Sequence, residues 1–211
     1  SNFEKTAKYD PSNPYANYTR KELYQYLKNA TQTTVPGENY EYSNLGFGLL
    51  GDLITTITKK SYAQNSKEII TTPLGLSHTL EKIDPKTQKM VQVYDESGTL
   101  VPSWDFQALT GAGGLKSTVN DLLRFAQYQF KMPENDLENA MALARQFTFY
   151  LPPNTDIGLG WNMNMSNDVI SYWHNGGTAG SSSFIAIVPD LKAAIVILSN
   201  SANSVDTISL K

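Results

Sequence analysis

Residues 181–199 read Ser-Ser-Ser-Phe-Ile-Ala-Ile-Val-Pro-Asp-Leu-Lys-Ala-Ala-Ile-Val-Ile-Leu-Ser. Two runs rich in apolar and β-branched residues flank Pro189-Asp190-Leu191-Lys192, a turn-forming tetrapeptide. The stretch therefore predicts strands at 181–189 and 192–199, joined tightly enough to be antiparallel. Ala193 to Leu198 carries no polar residue, the pattern of a strand covered on both faces. Upstream, 157–165 and 168–174 also read as strands.

Before Pro152-Pro153 the period changes. Thr19-x-x-Glu22 is a capping box, and Leu23, Tyr26 and Leu27 recur at helical spacing behind it. A second helix is predicted from about Ser43 to Lys59. A third opens at the box Ser61-x-x-Gln64 and ends before Pro73. Ser117 is expected to cap a further helix over about 118–131. Residues 89–101 read as two short strands around Asp95-Glu96-Ser97-Gly98, Gly111 to Gly114 as a tight turn, and 1–18, with Pro11 and Pro14, as an extended lead-in. The fold class is α+β, an antiparallel sheet packed with helices plus a mainly helical lobe. The division falls at 1–150 for the helical lobe and 151–211 for the sheet lobe. Ser204 to Lys211 begin a further helix, and both ends of the chain read as incomplete.

Composition excludes several functions. The 211 residues carry a net charge of −3 with no Lys/Arg cluster longer than two, so no basic footprint for nucleic acid is visible. No apolar run approaches the length of a membrane span. The chain has no cysteine, which removes thiolate nucleophiles and Cys-type zinc sites. His78 and His174 alone make no metal site, and no metal or organic cofactor is expected. Gly46-Phe-Gly48-Leu-Leu-Gly51 matches G-x-G-x-x-G, but it lies in a helical pattern with no strand before it. Close helix packing explains these glycines better than a dinucleotide.

Two short motifs carry chemistry. Tyr42-Ser43-Asn44 stands at a helix start, where a phenol able to exchange a proton and an amide able to hold a substrate amide can face one cleft. The same triplet reads equally as an N-cap with a packed tyrosine. His174-Asn175-Gly176-Gly177 ends a predicted strand. Histidine titrates near neutrality, and the glycines allow a substrate backbone to approach a free amide. It reads equally as a glycine-rich turn.

Tyr42-Ser43-Asn44 is followed by Leu-Gly-Phe-Gly-Leu-Leu-Gly at 45–51. Gly-Ala-Gly-Gly-Leu-Lys-Ser-Thr follows at 111–118 and Trp-His-Asn-Gly-Gly-Thr-Ala-Gly at 173–180. In this order they resemble the penicillin-recognising serine hydrolases: class C β-lactamases, D-Ala-D-Ala peptidases and related esterases. The resemblance implies that Tyr42 exchanges protons with the nucleophile and leaving group, and that Asn44 binds the acyl-side amide. It implies that His174, where many relatives have lysine, orients the tyrosine or a substrate carboxylate. Gly177 would give one oxyanion N–H, and Asn175 and Gly176 would line the substrate. Asn175 stands where the family has a hydroxyl residue.

The family's Ser-x-x-Lys is absent from these residues. Thr56-Ile57-Thr58-Lys59 is the nearest imitation. The expectation is that the nucleophile lies upstream of Ser1 and that this chain alone forms no acyl-enzyme. The substrates implied are a β-lactam, a D-alanyl peptide or an ester, in the periplasm or a secreted setting. The rival is a non-catalytic module that binds cell-wall peptide.

Overall fold

A computed structural model of the chain describes residues 9–153 and 155–209. The helical part opens with α1 (Arg20–Asn29), whose N-cap Thr19 and Glu22 form the expected capping box. Ser43 caps α2 (Asn44–Thr58), and Lys59 closes it in the left-handed conformation. The Ser61 box starts α3 (Tyr62–Ser66), which runs into a π turn over Lys67–Thr71, one residue short of Pro73 by way of the Thr72 cap. The strands β1 (Val93–Tyr94) and β2 (Leu100–Val101) pair antiparallel about the predicted hairpin, where Asp95 accepts from the Ser97 and Thr99 amides.

Three details depart from expectation. Gly111 and Ala112 close a 3-10 segment, Gln107–Ala112, with Gly113 as its C-cap, so the glycines form a helix end rather than an isolated turn. The helix α4 (Val119–Tyr128) is capped by Thr118, whose hydroxyl accepts from Asp121 N, and not by Ser117. Ser117 instead shares a hydrogen bond with Thr79 at 2.7 Å. Finally, α5 (Asp136–Ala144), capped by Asn135, occupies a stretch whose apolar spacing was too short to read.

The sheet has six antiparallel strands in sequence order: β3 (Phe149–Leu151), β4 (Thr155–Ile157), β5 (Asn162–Ser166), β6 (Val169–Gly177), β7 (Ser182–Val188) and β8 (Ala193–Ser199). The stretch 157–165 is thus not one strand. Gly160 at φ +97° turns the chain between β4 and β5. Asn167 and Asp168, both at positive φ, make the two-residue turn into β6. A short helix, α6 (Asp206–Ser209), follows the sheet. Leu210 and Lys211 of the expected terminal helix, and residues 1–8 of the lead-in, lie outside the described residues. The described part of the lead-in is not extended: 11–17 form successive turns, with the Ala16 amide bonded to the Asn13 carbonyl and the Tyr18 amide to the Tyr15 carbonyl, because Tyr15 and Tyr18 are buried in the core.

The exposure of one face of β8 corrects the picture of a strand covered on both faces. Ala194 packs with Ala126 of α4 and Ile187 of β7 on one face, whereas Ile195 is 45% exposed on the other. A helix or strand apolar all round is expected to be covered all round. The same holds for α2, whose Gly48 side is buried while Phe47, Leu50, Leu53, Ile54 and Ile57 stay exposed.

Two clusters set the position of α2. One gathers Tyr15, Tyr18, Leu23, Phe106 and Leu109 under α1 and α2. The other is a backbone crossing. A Cβ built on Gly48 falls 2.4 Å from Leu109 Cδ2, and one on Gly111 falls 2.5 Å from the Phe47 carbonyl oxygen. The G-x-G-x-x-G match is therefore a helix-packing surface, as its helical context implied.

Gly48→Ala should accordingly destabilise the chain by about 1–3 kcal/mol through overpacking, despite the better helix propensity of alanine. Gly46→Ala, whose added Cβ meets only Ser43 at 3.4 Å, should change stability by less than about 1 kcal/mol. Urea unfolding with unchanged m-value checks both.

Candidate active site

The loop leading into α2 carries Tyr42. Ser43 does serve as the N-cap, its Oγ accepting from Gly46 N at 3.0 Å, and that cap fixes its two neighbours. Tyr42 lies just outside the helix and Asn44 is its first residue. The Asn44 side-chain amide donates to the Tyr15 hydroxyl at 2.9 Å. Tyr15 in turn stacks on Phe106 (centroids 4.9 Å apart) and meets Trp104 edge-on at 5.5 Å. An aromatic cluster thus backs the Tyr-x-Asn motif, a support that no local pattern announced because Tyr15 is 29 residues away.

Across the groove, β6 carries the second motif. The ring of His174 lies 6.4 Å from that of Tyr42, tilted by 38°. Two further contacts hold the helix entrance against the sheet. Tyr40 faces Phe149 of β3 at 6.1 Å, and a Cβ on Gly160 would touch the Phe47 ring. Motifs 130 residues apart in sequence therefore face one another.

The strand end itself is unusual. β5 pairs with β6 only as far as Asn162 opposite Trp173, while β7 continues to Ser182 opposite Gly177. His174, Asn175, Gly176 and Gly177 thus keep one side of the ladder open. Thr178 N donates to the Ser181 carbonyl at 2.9 Å in the turn that follows. The alternation of an antiparallel ladder then turns the N–H and C=O groups of Gly177 and Asn175 away from β7, toward the open side. The two glycines differ in purpose. A Cβ on Gly176 would fall 2.7 Å from Ser183 Oγ, whereas one on Gly177 would meet nothing within 4 Å. A side chain at 176 would only have to displace the Ser183 hydroxyl, and Gly177 leaves space beside its own amide.

The hairpin β1–β2 buttresses this end of the sheet. Tyr94 N donates to the Gly180 carbonyl at 3.2 Å, and a Cβ on Gly180 would clash with Val93 and Val101. Side chains alternate across β6, so His174 faces the helical lobe and Asn175 the opposite side. There the Asn175 amide donates to Asp206 of α6 at 2.8 Å. His174 Nδ1 lies within hydrogen-bond distance of the Asn175 carbonyl oxygen.

Electrostatically, partial desolvation of Tyr42, which is still 55% exposed, pushes its phenol above its ordinary value, with smaller contributions from Tyr40 and Tyr15. Each of these causes disfavours the phenolate. Elsewhere, a cavity of about 430 Å³ lies between α1, α2 and α3, and neither Tyr42, Asn44 nor any of His174 to Gly177 lines it. Its wall includes buried Asp52, which is satisfied by Arg20 Nε at 2.7 Å and the Tyr24 hydroxyl at 2.7 Å. That ion pair ties α1 to α2. Among the described residues no group of three or more His, Cys, Asp or Glu could hold a metal ion, and no helix is long and apolar enough to cross a membrane.

The chain is similar in sequence and in fold to known proteins. The chain is 28% identical over 200 residues to the D-alanyl-D-alanine-carboxypeptidase/endopeptidase AmpH of Escherichia coli, a match covering 87% of this chain and 51% of that protein. The chain thus spans about half the length of the curated relatives it matches. A β-lactamase/D-alanine carboxypeptidase from Pseudomonas syringae superposes with a TM-score of 0.79 at 21% identity, over 87% of this chain and 61% of the other. A class C β-lactamase superposes at 0.78 and 22%, over 91% and 61%. At such identities these structures speak for the fold. The family model described as Beta-lactamase matches residues 3–209, so the chain belongs to the beta-lactamase family.

Proposed function

We propose that these residues form the Tyr-x-Asn and His-x-Gly walls of a serine hydrolase. Its nucleophile would lie on a Ser-x-x-Lys segment that this sequence does not contain. The substrates would be β-lactams, D-alanyl peptides or esters, met in the bacterial envelope. The observation that carries the reading is the pairing of Tyr42 with His174 at the open end of β6, 6.4 Å between rings.

An extended substrate would add its backbone to residues 174–177, a form of β-augmentation. The Gly177 N–H, aimed into open space, would then bind the oxygen that becomes negative as the serine attacks. One such donor is worth about 3–4 kcal/mol of barrier. The N–H of the serine itself would be the second donor. Asn44 would hold the acyl-side amide, its side chain already placed by Tyr15. Asn175 and Gly176 would line the substrate strand, and His174 would orient the tyrosine.

Tyr42 would relay the proton between serine and leaving group. In this chain alone the phenol is set against that task, because burial favours its neutral form. A cation beside it reverses that preference, and the lysine of a Ser-x-x-Lys segment would be such a cation. Residues 1–211 by themselves are therefore proposed to be inactive.

The competing reading is a binding module without catalysis. It predicts that no acyl adduct forms whatever segment is supplied.

In the full protein carrying the serine segment, Tyr42→Phe should lower turnover of nitrocefin and of a p-nitrophenyl ester by about 100-fold or more. An unchanged rate removes Tyr42 from the mechanism. Mass spectrometry after penicillin treatment should place the adduct on the serine segment. In the 211-residue chain the Tyr42 phenol should titrate above about 10 by ring-proton NMR. With the folded value above the unfolded one, the folded state holds this proton more tightly. Stability should therefore fall as pH rises through that range. A midpoint below 10 would contradict the burial argument.

A further inference from the structure

We infer that Asp206 is a specificity-determining residue of the groove, selecting a neutral or cationic substrate group beside Asn175 over a free carboxylate. The inference rests on the reading above, in which an extended substrate pairs with the open edge of β6.

The placement of Asp206 is not accidental to a loose terminus. Val205, the residue before it, is buried and donates its N–H to Ser182 Oγ at 3.1 Å. Ser182 is itself buried and pairs with Gly177 on one side and Ser199 on the other. The start of α6 is therefore pinned to the same rung of the sheet as the proposed oxyanion donor. Ser209 adds a hydroxyl bond to the Val205 carbonyl at 2.7 Å. From that anchor the Asp206 carboxylate reaches the Asn175 side-chain amide at 2.8 Å.

Two consequences follow for the ligand. One of the two N–H groups of the Asn175 amide is already given to Asp206. The carboxylate's charge also remains, because an amide donor neutralises nothing. The ion pairs of the described residues are Arg20–Asp52 and Lys60–Glu68, and neither includes Asp206. A backbone laid beside residues 175–177 presents alternate groups to the face that Asn175 and Asp206 occupy. A carboxylate presented there meets like charge and only one remaining N–H of Asn175. An ester, an internal amide or an amine meets neither penalty. The chemistry favoured is thus an ester or a peptide bond within a chain, rather than a terminal acid.

The test uses two probes that differ only in this group, N-acetyl-D-alanyl-D-alanine and its methyl ester. Their binding is followed by NMR shifts of the Asn175 and Gly177 amides. The wild-type chain should prefer the ester by about fivefold or more, as expected for like charges a side chain apart at a partly screened surface. Asp206→Asn, which can still accept from Asn175, should reduce that preference to about twofold or less by strengthening binding of the acid. Raising salt from about 0.05 to 0.5 M should narrow the wild-type preference without any mutation. Both probes bound, with a preference insensitive to the mutation and to salt, would overturn the role of Asp206 and leave the groove intact. Failure of the folded wild type to bind either probe would overturn the groove, and this inference with it.

Discussion

The strand β6 has nine residues and its neighbour β5 has five. That mismatch is the constraint on which the rest of the site depends. Where β5 ends, β6 continues against β7 alone, and a strand with one unpaired side exposes hydrogen-bonding groups that must find a partner. Long open edges are a liability in most sheets. Here the open stretch is confined to four residues, ends in two glycines, and begins at His174, whose ring faces Tyr42 at the entrance of α2. A short, sheltered edge of this kind is suited to an extended ligand.

Everything on the other wall serves to keep Tyr42 opposite that edge. The Ser43 cap defines where α2 begins. The close approach of Gly48 and Gly51 to Leu109 and Gly111 fixes the depth of the helix. The Arg20–Asp52 pair, with Tyr24, ties its middle to α1. The packing of Tyr15, Trp104 and Phe106 supports Asn44 from behind. These are ordinary packing and capping interactions, each worth about a kilocalorie or a few. Their joint effect is to hold a phenol and an imidazole within a ring's reach of one another.

The same geometry explains why membership of the family does not by itself give a substrate. Relatives of this architecture include a class C β-lactamase and a D-alanine carboxypeptidase. The residues beside the open end of β6 are His174, Asn175 and, from α6, Asp206. Each changes the charge or the donors that a ligand meets without moving the strand.

Much of this was legible in the amino-acid order. Capping boxes at Thr19 and Ser61, the Asp95–Gly98 turn and the two last strands are local patterns. Local hydrogen bonds and side-chain periodicity are enough to specify them. The two motifs and their order were equally readable. What the sequence could not show is anything set by contacts between distant residues. The split of 157–165 at Gly160, the open edge left where β5 stops, the Tyr15 support of Asn44 and the Asp206 contact to Asn175 all belong to this class. Chain order by itself determined which chemical groups this protein brings to a cleft. Tertiary packing alone decided which of them face each other and which hydrogen-bonding groups remain for a ligand, because ladder register and helix depth arise only when separated segments compete for the same space.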